Sequence, residues 1–285
     1  MPEIVEVEVH ARRLRRWSHR RRVVHAELVD DAAVRRVLSS KPSDASPDPD
    51  ATLAPLRGHM SGPILRKGKR IAWLFGPPDS GPALLVHLGM TGKWVLREPG
   101  EATPRFTRLT LHLDGCALHF VDSRRFGCVV GVSRDRVEAE LGQGLGPDAL
   151  DELPDATGLA AAFGASRRAI KVALMDQTRL AGLGNIHAAE SLWRARIHPA
   201  RPCRDLDPSE WSALVQGIHD QLSGALAYED DSGDGDFAYV TEGGASPFAV
   251  YGRADDACPR CGSAVRKVPM GGRSTFYCPS CQASP

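Results

Sequence analysis

Four cysteines near the C-terminus stand in two CxxC pairs, Cys258-Pro-Arg-Cys261 and Cys278-Pro-Ser-Cys281, with sixteen residues between them. Each CxxC turn brings two sulfurs to one ion, and two turns close a tetrahedral thiolate cage, so the spacing predicts one structural zinc per chain. Two disulfides in a secreted protein is the competing reading, and nothing else in the chain looks secreted. The opposite end opens Met1-Pro2-Glu3-Ile4-Val5-Glu6. A proline in second place permits removal of Met1, which leaves a secondary amine. An α-amino group has a pKa of about 7.7–8.0, so a useful fraction is neutral and nucleophilic near neutral pH. Attack on a sugar C1′ gives an iminium that draws electrons for elimination of phosphate, with Glu3 and Glu6 at hand to move protons. Alone, such a start is weak evidence, since proline is common at this position.

Two further constellations add to it. Gly182-Leu183-Gly184-Asn185-Ile186 reads as a glycine-rich turn opening a helix, with Asn185 as N-cap and free amides offered to a phosphodiester. An ordinary corner between helices fits the same residues. Asp122-Ser123-Arg124-Arg125-Phe126-Gly127 and His87-Leu88-Gly89-Met90 set arginine beside an aromatic and a methionine, the equipment for wedging into a duplex and filling a vacated stack. Taken singly, Met90 and Phe126 are better read as core.

These residues need elements to position them. Ile71–Phe75, Ala83–Leu88, Thr107–Leu113 and Cys116–Val121 have strand length and strand patterning with no helix between them, which argues a sandwich or barrel. From Leu159 the period turns helical, at Ala160–Phe163, Ile170–Met175, Ile186–Trp193 and Trp211–Leu226. Ser39–Thr52 and the acidic run Glu229–Asp236 read as loops. Val5, Val7 and Val9 alternate with glutamates like a strand, yet run into a helical Ala11–Arg16; the residues alone leave that segment undecided.

The chain has 285 residues, with Lys plus Arg at 36 against 35 for Asp plus Glu. Net charge therefore selects no partner, but its distribution does. Arg12, Arg13, Arg15, Arg16, Arg20, Arg21 and Arg22 form one basic run, Arg66, Lys67, Lys69 and Arg70 a second, and the cysteine-rich end adds Arg253, Arg260, Arg266, Lys267 and Arg273. Three such patches favour nucleic acid. Cys116, Cys128 and Cys203 are left over, no apolar run approaches a membrane span, and no signal peptide is legible, so the expectation is a soluble intracellular protein.

Taken together, the motifs resemble the formamidopyrimidine-DNA glycosylase and endonuclease VIII superfamily, nearer the formamidopyrimidine branch. The resemblance runs from the Pro-Glu start through Arg66–Lys69, His87–Met90, Asp122–Gly127, Lys171, Gly182–Ile186 and Val250-Tyr251-Gly252-Arg253 to Arg273 and the last CxxC. It implies an α+β multidomain fold: an N-terminal β-sandwich catalytic domain with an N-terminal helix over 1–133, a linker over 134–152, a helix-two-turn-helix domain with a lesion-side loop over 153–249, and a C-terminal β-hairpin zinc finger over 250–285. It also implies a catalytic set of Pro2 as Schiff-base nucleophile, Glu3 as general acid and base, Glu6 in support of Glu3, and Lys69 holding a phosphate and assisting proton transfer. Met90, Arg124 and Phe126 become the wedge, with Arg124 facing the opposite base. Asn185 and Arg273 become the phosphate clamp, Lys171 a lesion-side lysine, and His87 and Tyr251 further DNA contacts.

The implied activity is a base-excision repair glycosylase with abasic-site lyase action on oxidised purines such as 8-oxoguanine and formamidopyrimidine. The implied partner is damaged double-stranded DNA, met by a monomer in a bacterial cytoplasm at the nucleoid, with no membrane. Departures are Val5 for a second proline, Ser123 for a proline, His187 for a tyrosine, and an unfamiliar Asp236–Phe248 segment. A paralogue excising another lesion and a damage-binding protein without turnover are the alternatives; a zinc-ribbon transcription factor leaves the Pro-Glu start unexplained.

Overall fold

The undecided N-terminal segment is a helix, α1 (Ile4–Ser18). Val7, Ala11, Leu14 and Trp17 recur at helical spacing on one face and are all buried, which outweighs the poor helix propensity of the valines. Glu6, the third residue of the helix, accepts the Glu3 backbone N–H at 2.6 Å, half of a capping box. The computed structural model describes residues 2–38, 46, 48–231 and 247–283. The chain divides into two compact units, Met1–Pro2 with Val7–Gln143 and Glu3–Glu6 with Gly144–Pro285.

The first unit is a β-sandwich. One antiparallel sheet runs in the order β1 (Val23–Leu28), β6 (Thr107–Leu113), β7 (Cys116–Val121), β5 (Lys93–Arg97). The other runs β2 (Ser61–Lys67), β3 (Arg70–Phe75), β4 (Pro82–His87), β8 (Cys128–Ser133). Trp73, Phe75, Leu84 and Val86 from one sheet share a core with Trp94, Leu109, Leu118 and Phe120 from the other. The four strands read from sequence are the four central ones, β3, β4, β6 and β7. Each edge strand lacks an unbroken apolar signal: β1 buries only Val23 fully, β2 carries Gly62 and Pro63, β5 begins and ends on Lys93 and Arg97, and the apolar start of β8 breaks at exposed Gly131.

Short helices α2 (Pro49–Leu53) and α3 (Val137–Gly142) complete this unit. The end of the Ser39–Thr52 tract is thus helical rather than loop, because Asp48 caps α2 through the Ala51 amide. Residues 39–45 and 47 lie outside the described residues.

The second unit carries α4 (Ala156–Phe163), α5 (Ile170–Ala173), α6 (Asn185–Ala195) and α7 (Pro208–Asp231), the helix-two-turn-helix arrangement, then the hairpin β9 (Arg266–Met270) and β10 (Arg273–Tyr277). Leu159, Phe163, Ile170, Leu183, Leu192, Trp211, Leu214 and Ile218 form its core together with Ile4 and Val5. Asp207 starts α7 by accepting the Ser209 and Glu210 amides, while Glu210 returns a bond to the Asp207 N–H. Helix α7 also overrides part of the expected acidic loop, since it runs on to Asp231 with Glu229 buried. Residues 232–246, with most of the unfamiliar Asp236–Phe248 segment, lie outside the described residues.

Candidate functional site

Gly184, not Asn185, holds the N-cap position of α6, and it has no side chain to cap with. The expectation of an Asn185 cap with free helix amides is corrected by Glu3, whose carboxylate accepts the Ile186 amide at 2.9 Å and the His187 amide at 3.1 Å. A negative group from the far end of the sequence therefore does the capping, where the helix dipole favours it. Glycine at 184 is obligatory for this approach: a Cβ there would lie 2.2 Å from the Glu3 carboxyl carbon. Gln177 braces the same turn, accepting from the Gly182 N–H and donating to the Leu183 carbonyl.

Around that helix start the second unit gathers most of the expected polar residues. Glu3 and Glu6 are each 1% exposed. Burial, then the neighbouring Glu3 charge, pushes the Glu6 carboxyl up to about 8. Lys171, on α5, is fully buried and donates to Asn185 Oδ1. Burial, then the positive charge of Arg273, brings the Lys171 amine down to about 8, with Glu3 acting in the opposite direction. Asn185 turns its amide to the hairpin, donating to the Ser274 carbonyl at 2.8 Å and to the Tyr251 hydroxyl at 3.4 Å. Lys171, Asn185, Tyr251 and the start of β10, where exposed Arg273 sits, are thereby brought together.

Reading the sequence missed Glu190, whose buried carboxylate accepts the amides of Ala249, Val250 and Tyr251 and so fixes the segment that carries Tyr251. It also missed Gln221 and the setting of His187. A glutamate or glutamine inside a helical stretch gives no sign of which way it turns.

The four cysteine sulfurs lie within 4.8 Å of one another, with Cys258 and Cys281 3.9 Å apart and Cys261 and Cys278 3.4 Å apart. Zn–S bonds of about 2.3 Å at tetrahedral angles place sulfurs about 3.8 Å apart, so Cys258, Cys261, Cys278 and Cys281 fit one structural zinc. Gln282 ties this site to the helices by accepting the Cys278 amide and donating to the Ile197 carbonyl.

In the first unit the expected wedge residues stand on two clamped turns. Asp122, fully buried, accepts the Gly127 amide at 2.7 Å and the Arg124 amide at 3.1 Å, and also bonds the Thr91 hydroxyl of the neighbouring turn. A Cβ on Gly89 would meet the Gly127 nitrogen at 2.4 Å, so the turns touch backbone to backbone. Beneath them the buried Arg35 guanidinium donates to the Arg125 and Gly127 carbonyls. Arg124 is exposed, its guanidinium 5.3 Å from the Phe126 ring centre, while Phe126 and Met90 are half-buried. Neither of the latter is a core residue. His87 ends β4 with Nδ1 accepting the Gly89 amide. Burial, then the charges of Lys69, Arg70 and Arg35, takes its pKa down to about 4, so it is neutral at physiological pH. Lys69 is half-buried beside it, between β2 and β3, and Pro2 is half-buried.

The basic patches are smaller than the sequence implies. Glu8 takes ion pairs from Arg12, Arg15 and Arg66, Arg13 is buried, and Arg70 donates to carbonyls at the end of α3.

Three family models match the chain: the formamidopyrimidine-DNA glycosylase N-terminal domain over residues 1–129, the formamidopyrimidine-DNA glycosylase H2TH domain over 145–234, and the zinc finger found in FPG and IleRS over 256–283. The formamidopyrimidine-DNA glycosylase of Salinispora tropica is 38% identical, with 100% of this chain and 97% of that protein covered. That of Acidothermus cellulolyticus is 37% identical over 100% of this chain and 98% of its own length. Among solved structures, Lactococcus lactis FPG in complex with a Fapy-dG-containing DNA matches at a TM-score of 0.84 and 28% identity, over 99% of this chain and 100% of that one. The same enzyme bound to DNA with an abasic site matches equally well, at a TM-score of 0.84.

Proposed function

The chain belongs to the formamidopyrimidine-DNA glycosylase family, and from that premise we propose that it excises oxidised purines from duplex DNA and then cleaves the abasic site through the Pro2 amine. The observation that carries the assignment of residues is the double hold on Glu3. Its N–H is held by Glu6 and its carboxylate by the start of α6, so the residue next to Pro2 is fixed at both backbone and side chain.

In this reading the neutral Pro2 amine attacks C1′ of a flipped nucleotide, the damaged base departs with a proton, and the C1′–O4′ bond then breaks with a proton delivered to O4′, opening the sugar. The resulting iminium is the electron sink for loss of the 3′ phosphate and then the 5′ phosphate, with Glu3 moving protons at the sugar. Lys69 and His87 take phosphates, Asn185 and Arg273 clamp those flanking the flipped nucleotide, and Lys171 and Tyr251 line the lesion side. Met90, Arg124 and Phe126 enter the vacated stack, Arg124 against the opposite base. Zinc staples the hairpin that presents Arg273.

The enzyme acts as a monomer in the cytoplasm on nucleoid DNA. Among the described residues no helix is long and apolar enough to cross a membrane.

Borohydride trapping tests the reading. Protein whose intact mass shows Met1 removed, incubated with duplexes bearing 8-oxoguanine opposite cytosine or an abasic site, is expected to give a covalent adduct on both, lost in Pro2→Gly. An adduct on the abasic duplex alone would move lesion choice to a different base, and none on either would leave a DNA-damage binder.

A further inference from the structure

Arg125, between Arg124 and Phe126, has a left-handed backbone, with φ at 60°. A residue with a Cβ adopts that conformation at a cost and keeps it only where its surroundings dictate it. The conformation turns the chain sharply between its two neighbours, and the Arg124 guanidinium stands 5.3 Å from the Phe126 ring centre.

The surroundings are one short segment, residues 30–35, that follows β1. Asp30 takes the Arg125 guanidinium in a two-point grip: Nη2 donates to Oδ1 at 2.9 Å, and Nε lies 2.8 Å from Oδ2. Such a fork fixes direction as well as distance. From the other end of the segment, Arg35 donates to the Arg125 carbonyl at 2.9 Å, so Arg125 is held by side chain and backbone alike. The segment is itself fixed. Asp30 Oδ1 caps the 3-10 turn Asp31–Ala33 through the Ala32 amide at 3.2 Å, Arg35 donates its Nε–H to the Ala32 carbonyl at 3.1 Å, and the Arg35 amide binds the Val129 carbonyl on β8 at 2.9 Å. Arg108 joins this hold to the inner one. Its Nε–H donates to the Asp122 carbonyl at 2.8 Å, and its Nη1 lies 3.6 Å from Asp30 Oδ2.

We propose that Asp30 is a positioning residue for the wedge: it pairs with Arg125, holds that residue left-handed, and thereby sets Arg124 to discriminate the base opposite the lesion. The proposal rests on the reading of Arg124 above. The Arg125 side chain is 54% exposed, so water screens the pair and its contribution to stability is small. What the pair adds is direction. Asp122 and Arg35 fix amides and carbonyls of the turn, whereas Asp30 grips the side chain that stands between two wedge residues.

NMR and a mutant cycle on the zinc-loaded full chain test the idea. NMR of the free protein reads the hold without any reaction. In the parent the Arg125 Nε–H is expected to exchange slowly and φ to be left-handed, and both features should be lost in Asp30→Asn. The asparagine keeps an oxygen for the Ala32 amide and loses the second carboxylate oxygen facing Nε, so the cap survives while the pair does not. An unpaired Arg125 in the parent, or a φ that Asp30→Asn leaves unchanged, would overturn the proposal. Single-turnover excision of 8-oxoguanine opposite cytosine and opposite adenine reads the consequence. Asp30→Asn should lower the preference for cytosine about tenfold without moving the denaturation midpoint; Arg125→Gly, free to take either sign of φ, should lower it by the same factor, and the double variant by no more. Rates that fall equally opposite both bases would mark a purely structural role, and losses that multiply in the double variant would mean that the two residues act separately. Either result sinks the inference, as does an unchanged preference in Asp30→Asn. A parent with a paired, left-handed Arg125 but no preference between the two bases would instead fault the reading of Arg124 and leave the hold on Arg125 standing.

Discussion

The two turns that carry Met90, Arg124 and Phe126 and the polar cluster at the start of α6 solve opposite problems. In the turns, the backbone is fixed and the side chains proposed as the wedge stay outside its hydrogen-bond frame. Asp122 and Arg35 take up amides and carbonyls from below while Arg124 stays exposed. In the cluster, the side chains proposed for catalysis and DNA contact are themselves the scaffold. Glu3 caps a helix, and Asn185 joins that helix to the hairpin. The turns separate chemistry from stability; the cluster merges the two, since a buried polar group without a partner costs as much as its hydrogen bonds are worth.

Zinc removal should break the contrast most severely. Metal affinity in so small a module is largely folding energy, on the order of 10 kcal/mol. Chelation is therefore expected to unfold the hairpin, release Asn185 from the Ser274 carbonyl and abolish DNA binding. Hydrogen exchange would then show amides of β9, β10 and the start of α6 losing protection while those of β3 and β4 keep theirs. Retained DNA binding by protein shown to be zinc-free would refute the coupling.

A pair of substitutions sharpens the same comparison at smaller scale. Glu3→Ala strips the Ile186 and His187 amides of their acceptor in a buried site, and should cost about 2–4 kcal/mol in chemical denaturation as well as the borohydride adduct. Arg124→Ala should leave stability within about 0.5 kcal/mol while erasing the preference for cytosine opposite the lesion. Equal stability losses in the two variants would mean that the turns are as integral to the fold as the cluster.

What the sequence disclosed follows the same division. Central strands bury both faces and carry their signal locally, so β3, β4, β6 and β7 are legible, whereas the edges β1, β2, β5 and β8 take their order from a neighbour. The cysteine frame is legible because its spacing is its geometry. The glycines of 182–184 mark a turn, but that Gly184 makes room for Glu3 depends on a contact across 181 residues. The same distance hid the true cap of α6, and it is why an arginine run that reads as a phosphate track proves to be tied down in part by Glu8.

The smallest effect isolates one charge in the cluster. Lys171 is buried with its pKa lowered from 10.5 to about 8, so between those values the unfolded chain binds a proton that the native protein does not. Stability must then rise as pH climbs through that window, since the penalty for burying the ammonium is present below about 8 and gone above 10.5. Lys171→Met should flatten that rise, whatever it does to absolute stability by leaving Asn185 Oδ1 without its donor. The slope of unfolding free energy against pH, compared between parent and variant, reads the lysine alone. Arg124→Ala, which changes an exposed charge on the clamped turns, should leave the slope as it was. A slope unchanged in Lys171→Met would mean that the amine reaches solvent in the native protein, and that this part of the cluster resembles the turns after all.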